Sequence, residues 1–145
     1  MKVLVLDVDG VIVDSQMECL FIGFNSYVKL HKNTKLFSGQ KFTFYNFNRL
    51  TKKYSWIVNK YKKLRPYVTD AFCYYVILHI IDNNLKVDNQ NQYNKIRKKL
   101  MGKYDKYVKY FYNERYLLQK KNFRKWLSLD IPFKKIINWI KSLFS

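Results

Sequence analysis

Met1-Lys-Val-Leu-Val-Leu-Asp7-Val-Asp9-Gly10-Val11-Ile-Val-Asp14-Ser15 is the stretch that decides how this chain of 145 residues reads. Val3 to Leu6 is a short apolar run, rich in β-branched residues and too brief for a helix. A strand buried on both faces of a parallel sheet has this appearance. The run stops at Asp7, a second acid follows at Asp9, and Gly10 gives the chain freedom to turn directly after them. Ligands of open α/β sheets bind just beyond the carboxyl ends of strands. An acid pair at that point is a candidate catalytic site.

Two plainer readings compete. Asp and Gly are ordinary turn residues, so the stretch could be a strand ending in a solvated turn. Asp7, Asp9 and Glu18 also share the first, third and twelfth positions of a calcium-binding loop. That reading fails, because Val11 and Ile12 stand where such a loop needs a ligand and its glycine.

The string from Asp7 to Ser15, after a hydrophobic strand, resembles the first signature of the haloacid dehalogenase-like hydrolases, and within them the phosphoglycolate phosphatase-like members with a helical cap. The resemblance implies an Asp7 nucleophile that also ligates Mg²⁺. It implies that Asp9 is the general acid/base and lends its backbone carbonyl to the metal, with Gly10 and Val11 forming the turn beside the substrate. Val11 departs from the Thr more usual there, and the hydrogen bond of that Thr is lost. A carboxylate nucleophile splits phosphoester hydrolysis into formation and breakdown of an aspartyl-phosphate. A magnesium ion would offset the repulsion between Asp7 and an anionic phosphate.

Composition sets the bounds. An apolar share of 48% with 19% aromatics describes a folded chain of one domain's size. Cys19 and Cys73 lie in apolar helical stretches without metal spacing and read as reduced packing residues of a cytoplasmic protein. Acids interrupt the only apolar run at the start, which argues against a signal peptide. The run Ala71 to Ile81 falls short of the ~20 residues of a membrane span, so no membrane partner is expected. The net charge of +18, from 28 basic and 10 acidic residues, should attract phosphorylated ligands and nucleic acids alike. Lys far outnumbers Arg, and Asn, Tyr, Phe and Ile are abundant, so compositional drift outweighs nucleic-acid binding as the source of the charge.

Downstream the periodicity is helical. Ser15 and Glu18 form a capping box for a helix to about Leu30, with Leu20, Phe24, Tyr27 and Val28 as its apolar stripe. Residues 33–40 read as a loop. Lys41 to Arg65 reads as an aromatic-rich turn or short helix and then a helix stopping before Pro66. Thr69 or Asp70 caps a helix from Ala71 to about Asp82, apolar nearly all round and therefore the buried centre. His79 there reads as a packing residue, and His31 stands alone in a basic stretch. Asp88 caps a helix to about Met101 that Gly102 closes. In residues 103–121, Tyr104, Tyr107, Val108, Phe111 and Leu118 make one stripe among lysines. This is a core face with solvated lysines in preference to a platform for single-stranded nucleic acid. Asp130-Ile131-Pro132 opens a last amphipathic helix with Pro in its first turn.

The expected fold class is therefore mainly α: one N-terminal strand, the remnant of a Rossmann-like α/β core, followed by a helical cap of about five to six helices. Residues 1–32 would belong to the core, 33–129 to the cap, and 130–145 to a helix returning to the core. The later signatures of the family (a Ser or Thr, a phosphate-neutralising Lys and an acidic pair) are not found. The expectation is thus a magnesium-dependent phosphatase of a small phosphorylated metabolite, cut short or completed by a second polypeptide or by self-association. The alternatives are a catalytically inactive remnant and a basic nucleic-acid-binding helical protein.

Overall fold

The computed structural model describes residues 13–129, 131–132 and 142. Strand β1 (Val13–Asp14) leads into α1 (Gln16–Leu30). A 3-10 turn (Leu36–Gly39) and two helices, α2 (Phe47–Lys53) and α3 (Ser55–Leu64), follow. A second 3-10 turn (Arg65–Tyr67) precedes α4 (Ala71–Asp82) and α5 (Gln90–Leu100), and a third (Met101–Lys103) joins α5 to α6 (Tyr104–Lys121). A short α7 (Phe123–Leu127) and strand β2 (Ile131–Pro132) complete the order.

The described chain is a helical body, mainly α as expected, and the correction to the expected fold class falls on the N-terminal strand. Its extended pairing is limited to β1 and β2, antiparallel, with Val13 opposite Pro132 and Asp14 opposite Ile131. An antiparallel bridge of two residues per side joins the two ends of the helical body and builds no parallel layer, so the Rossmann-like remnant is not what is seen. The run Val3 to Leu6 lies outside the described residues. Pro132 was expected in the first turn of a helix and instead sits in β2, where a strand only two residues long tolerates its missing N–H.

Helix α1 is the axis. Glu18 to Val28 are buried without interruption, because α1 packs against both α4 and α6. It thus packs in one body with α4 and α6. The closest approach is at Gly23. A Cβ there would lie 3.2 Å from both Tyr107 Oη and Tyr74 Cβ, and Tyr107 Oη donates to the Gly23 carbonyl at 3.0 Å. Helix α4 is buried from Phe72 to Leu78 and again at Ile80 and Ile81, as its apolar composition predicts. Asp70 caps it, accepting from the Cys73 N–H at 3.1 Å. Asn84, at φ 49°, closes it, with the Leu85 N–H donating to the Ile80 carbonyl at 2.9 Å in the left-handed manner Asn tolerates.

Aromatic rings fix the segment between α1 and α2. Phe24 meets Phe37 and Phe42 at centroid distances of 5.0 and 4.9 Å, and Phe42 meets Phe47 at 4.8 Å. Asn25 clamps the backbone of Phe42 from both sides, accepting from its N–H at 2.7 Å and donating to its carbonyl at 2.9 Å. The loop expected over 33–40 is ordered by this packing. Phe37, Ser38 and Gly39 are all left-handed, and Ser38 is hydrogen-bonded to Tyr54. The stretch before Pro66 forms two helices, and the stripe from Leu50 to Tyr61 is interrupted at Tyr54 (φ −110°, ψ 43°). Asn89, not Asp88, caps α5 through the Gln92 N–H. Gly102 lies within a 3-10 turn and does not end the helix in a left-handed cap.

Candidate functional site

The predicted catalytic and turn residues Asp7, Asp9, Gly10 and Val11 lie outside the described residues. The described residues begin at β1, next in sequence after that segment, and β2 lies against it. Residues 13–14 and 131–132, at the two ends of the described helices, therefore lie side by side.

Directly after β1, Ser15 and Glu18 depart from expectation. Ser15 is buried and makes no side-chain cap bond to α1. Glu18 does not reach back along its own helix. It is fully buried, and Arg115 binds it in fork geometry, Nε to Oε1 at 2.9 Å and Nη2 to Oε2 at 3.3 Å. The Trp126 indole Nε1–H donates to Oε1 at 2.8 Å. The capping box is thus replaced by a charge-assisted junction of α1, α6 and α7, because a carboxylate on a helix buried all round must find its partners in the interior.

Beside this junction is a cleft of about 240 Å³ whose polar lining includes Ser15, Arg65, Thr69, Asp70, Tyr74 and Arg115. Asp70 is committed, since one oxygen caps α4 and the other accepts from Arg97 Nη2 at 2.8 Å. Arg65 has no carboxylate partner among the described residues. Its guanidinium sits 5.3 Å from the Tyr74 ring centroid, and its Nε is buried without a hydrogen bond. Once the paired charges cancel, Arg65 is left among the described residues as an uncompensated cation in the cleft, an arrangement that suits an anionic group. Cys19 also lines it. Burial pushes that thiol's pKa up, so it is held protonated and unsuited to be a nucleophile.

The two histidines, separate in the sequence reading, are neighbours. Their rings lie 6.2 Å apart, and His31 Nε2 is 2.7 Å from Tyr75 Oη. Burial lowers the pKa of both, and for His31 the proximity of His79 adds to it. Among the described residues no group of three His, Cys, Asp or Glu side chains is placed to hold a metal ion. Hard oxygen donors such as Asp7 and Asp9 suit Mg²⁺, but Glu18 and Asp70 are fully engaged and add nothing to such a set. The aromatic stripe of α6 faces the core, with Tyr107, Phe111 and Leu118 buried, which removes it as a stacking platform for nucleic acid.

Sequence reasoning missed Arg65, Arg115 and the role of Glu18. One signal was present: Glu18 is a lone acid in a stretch otherwise apolar from Cys19 to Phe24. No helix among the described residues is long and apolar enough to cross a membrane. No protein-family model, curated protein or solved structure matches this chain.

Proposed function

We propose that this chain carries the nucleophile segment and helical cap of a magnesium-dependent phosphohydrolase of the haloacid dehalogenase type, acting on a small phosphorylated metabolite. The observation that carries the reading is the acid pair Asp7 and Asp9, placed just ahead of a helical body whose two ends are tied together at β1 and β2. A body tethered by adjacent strands can tilt over a neighbouring site as a lid does. The Arg65 cleft lies at that tethered edge and would receive the substrate's anionic end.

In this mechanism a carboxylate oxygen of Asp7 attacks phosphorus, and the leaving alkoxide takes a proton from the carboxyl of Asp9. Asp9, now a carboxylate, removes a proton from water. The resulting hydroxide attacks the phosphorus of the aspartyl-phosphate, which releases inorganic phosphate and restores Asp7. Proton transfer of this kind contributes about 10²–10⁴-fold in rate. Mg²⁺, held by Asp7 and the Asp9 carbonyl, would supply charge neutralisation at the phosphoryl oxygens. The Ser or Thr, the Lys and the acidic pair that the resemblance also implies are not assigned to residues of this chain. The reading therefore expects slow turnover from this chain alone and a second polypeptide or self-association for full rate.

The test is hydrolysis of p-nitrophenyl phosphate with Mg²⁺ by the native chain, Asp7→Asn and Arg65→Met. The expected result is slow magnesium-dependent turnover, abolished in Asp7→Asn and showing a raised KM in Arg65→Met. Equal rates in the native chain and Asp7→Asn would remove Asp7 from any catalytic role.

A further inference from the structure

A second concavity, about 780 Å³, opens between α1, residues 42–45, the end of α6 and α7. Its volume falls within the range of about 300–1,000 Å³ of small-molecule sites. The floor is aromatic: Phe21 and Phe42 are buried beneath it, with Phe44 half-buried 5.6 Å from the Phe21 ring. Tyr45 and Leu117 line it at 89% and 49% exposure, an unusual outlay of apolar surface to solvent on one rim.

The polar groups of this groove divide in two. Glu114 is taken by Lys29 at 2.6 Å, and Asn25 spends both its amide atoms on Phe42. Lys120, Lys121 and Lys125, in contrast, have no carboxylate partner among the described residues. Lys125 Nζ lies 4.8 Å over the exposed Tyr45 ring, so a cation and an aromatic ring are held together at the mouth. Three unneutralised ammonium groups call for a ligand with more than one negative charge, and the ring-lined walls call for a flat aromatic body.

We infer that this groove binds a small phosphorylated compound with a planar aromatic ring. The ring lies along Phe44 and Tyr45, and the phosphates meet Lys120, Lys121 and Lys125. The site uses none of the residues assigned to catalysis, so it stands or falls apart from the phosphohydrolase reading. ADP is the probe, measured by titration calorimetry on the full chain and on Asp7→Asn, with adenosine and inorganic phosphate as the separated halves. ADP should bind both chains alike and more tightly than either half. The exposed double variant Lys120→Glu/Lys125→Glu should weaken it by about tenfold or more, as loss of charge-assisted contacts does. Tyr45→Ser should weaken it by a smaller factor, and helical circular dichroism should be unchanged in both. Undetectable ADP binding, or binding indifferent to all three substitutions, would overturn the inference. So would an oligothymidylate that binds the groove more tightly than ADP with the same lysine dependence.

Discussion

Replacing Arg115 with Met would expose how much of the fold hangs on Glu18. The carboxylate of Glu18 is fully buried, while the Arg115 side chain is 29% exposed. The substitution keeps the aliphatic stem but removes both guanidinium contacts, leaving the Trp126 indole N–H as the partner that remains of the three hydrogen bonds described. Breaking a buried pair and stranding one charge costs about 3–5 kcal/mol. The partial exposure of Arg115 and the surviving indole bond place the cost near the lower end, about 3 kcal/mol. For a chain of this size that lowers Tm by about 10 °C. Urea unfolding followed by circular dichroism at 222 nm reads the first number, and a thermal scan reads the second. Glu18→Gln in the same chain removes the stranded charge, so the double variant Glu18→Gln/Arg115→Met should recover at least about 1 kcal/mol relative to Arg115→Met alone. A loss below about 1 kcal/mol in Arg115→Met, or strict additivity in the cycle, would show that this junction is not what binds α1 to α6 and α7.

Asn25→Ala removes both bonds to the Phe42 backbone and should cost about 2–3 kcal/mol, with faster hydrogen exchange at the Phe42 amide. Gly23→Ala drives a methyl against Tyr107 and Tyr74, and its Tm should fall in keeping with an overpacking cost of about 1–3 kcal/mol. His31 and His79, with Tyr27, Tyr75, Asp82 and Lys103 around them, have folded pKa values below that of free imidazole, about 6.5. The unfolded chain then binds more protons, so their contribution to stability is complete above that value and is lost as pH falls through the folded values. The urea midpoint should decline from pH 7.5 to pH 5, and His31→Asn should flatten the decline.

The helices were legible where burial and capping act locally. Helix α4 was legible from Ala71 to about Asp82, because a strongly apolar run after Thr69 or Asp70 carries its own start. The inward face of α6 was equally visible in the spacing of Tyr107, Phe111 and Leu118. What escaped depends on partners far along the chain. Ser15 and Glu18 have the local pattern of a capping box, yet Glu18 is drawn to groups 97 and 108 residues away, because burial of α1 on every side denies its carboxylate water. Pro132 suits a helix start by local rule but sits in β2, opposite Val13, a pairing that spacing cannot reveal. Tyr54 fits the periodic stripe of one long helix, yet it marks the break between two. The acid pair stands out in the sequence, while the cleft lined by Ser15 joins Arg65 to Arg115 across 50 residues and has no linear signature.

The most direct measurement of the central claim is to trap the covalent step. The full chain is incubated with radiolabelled acetyl phosphate and Mg²⁺, quenched in acid and mapped by peptide digestion. The account predicts a hydroxylamine-labile phosphate on Asp7, absent from Asp7→Asn and absent when the metal is chelated. A chain that takes up no label, or one whose label survives the loss of Asp7, would contradict it.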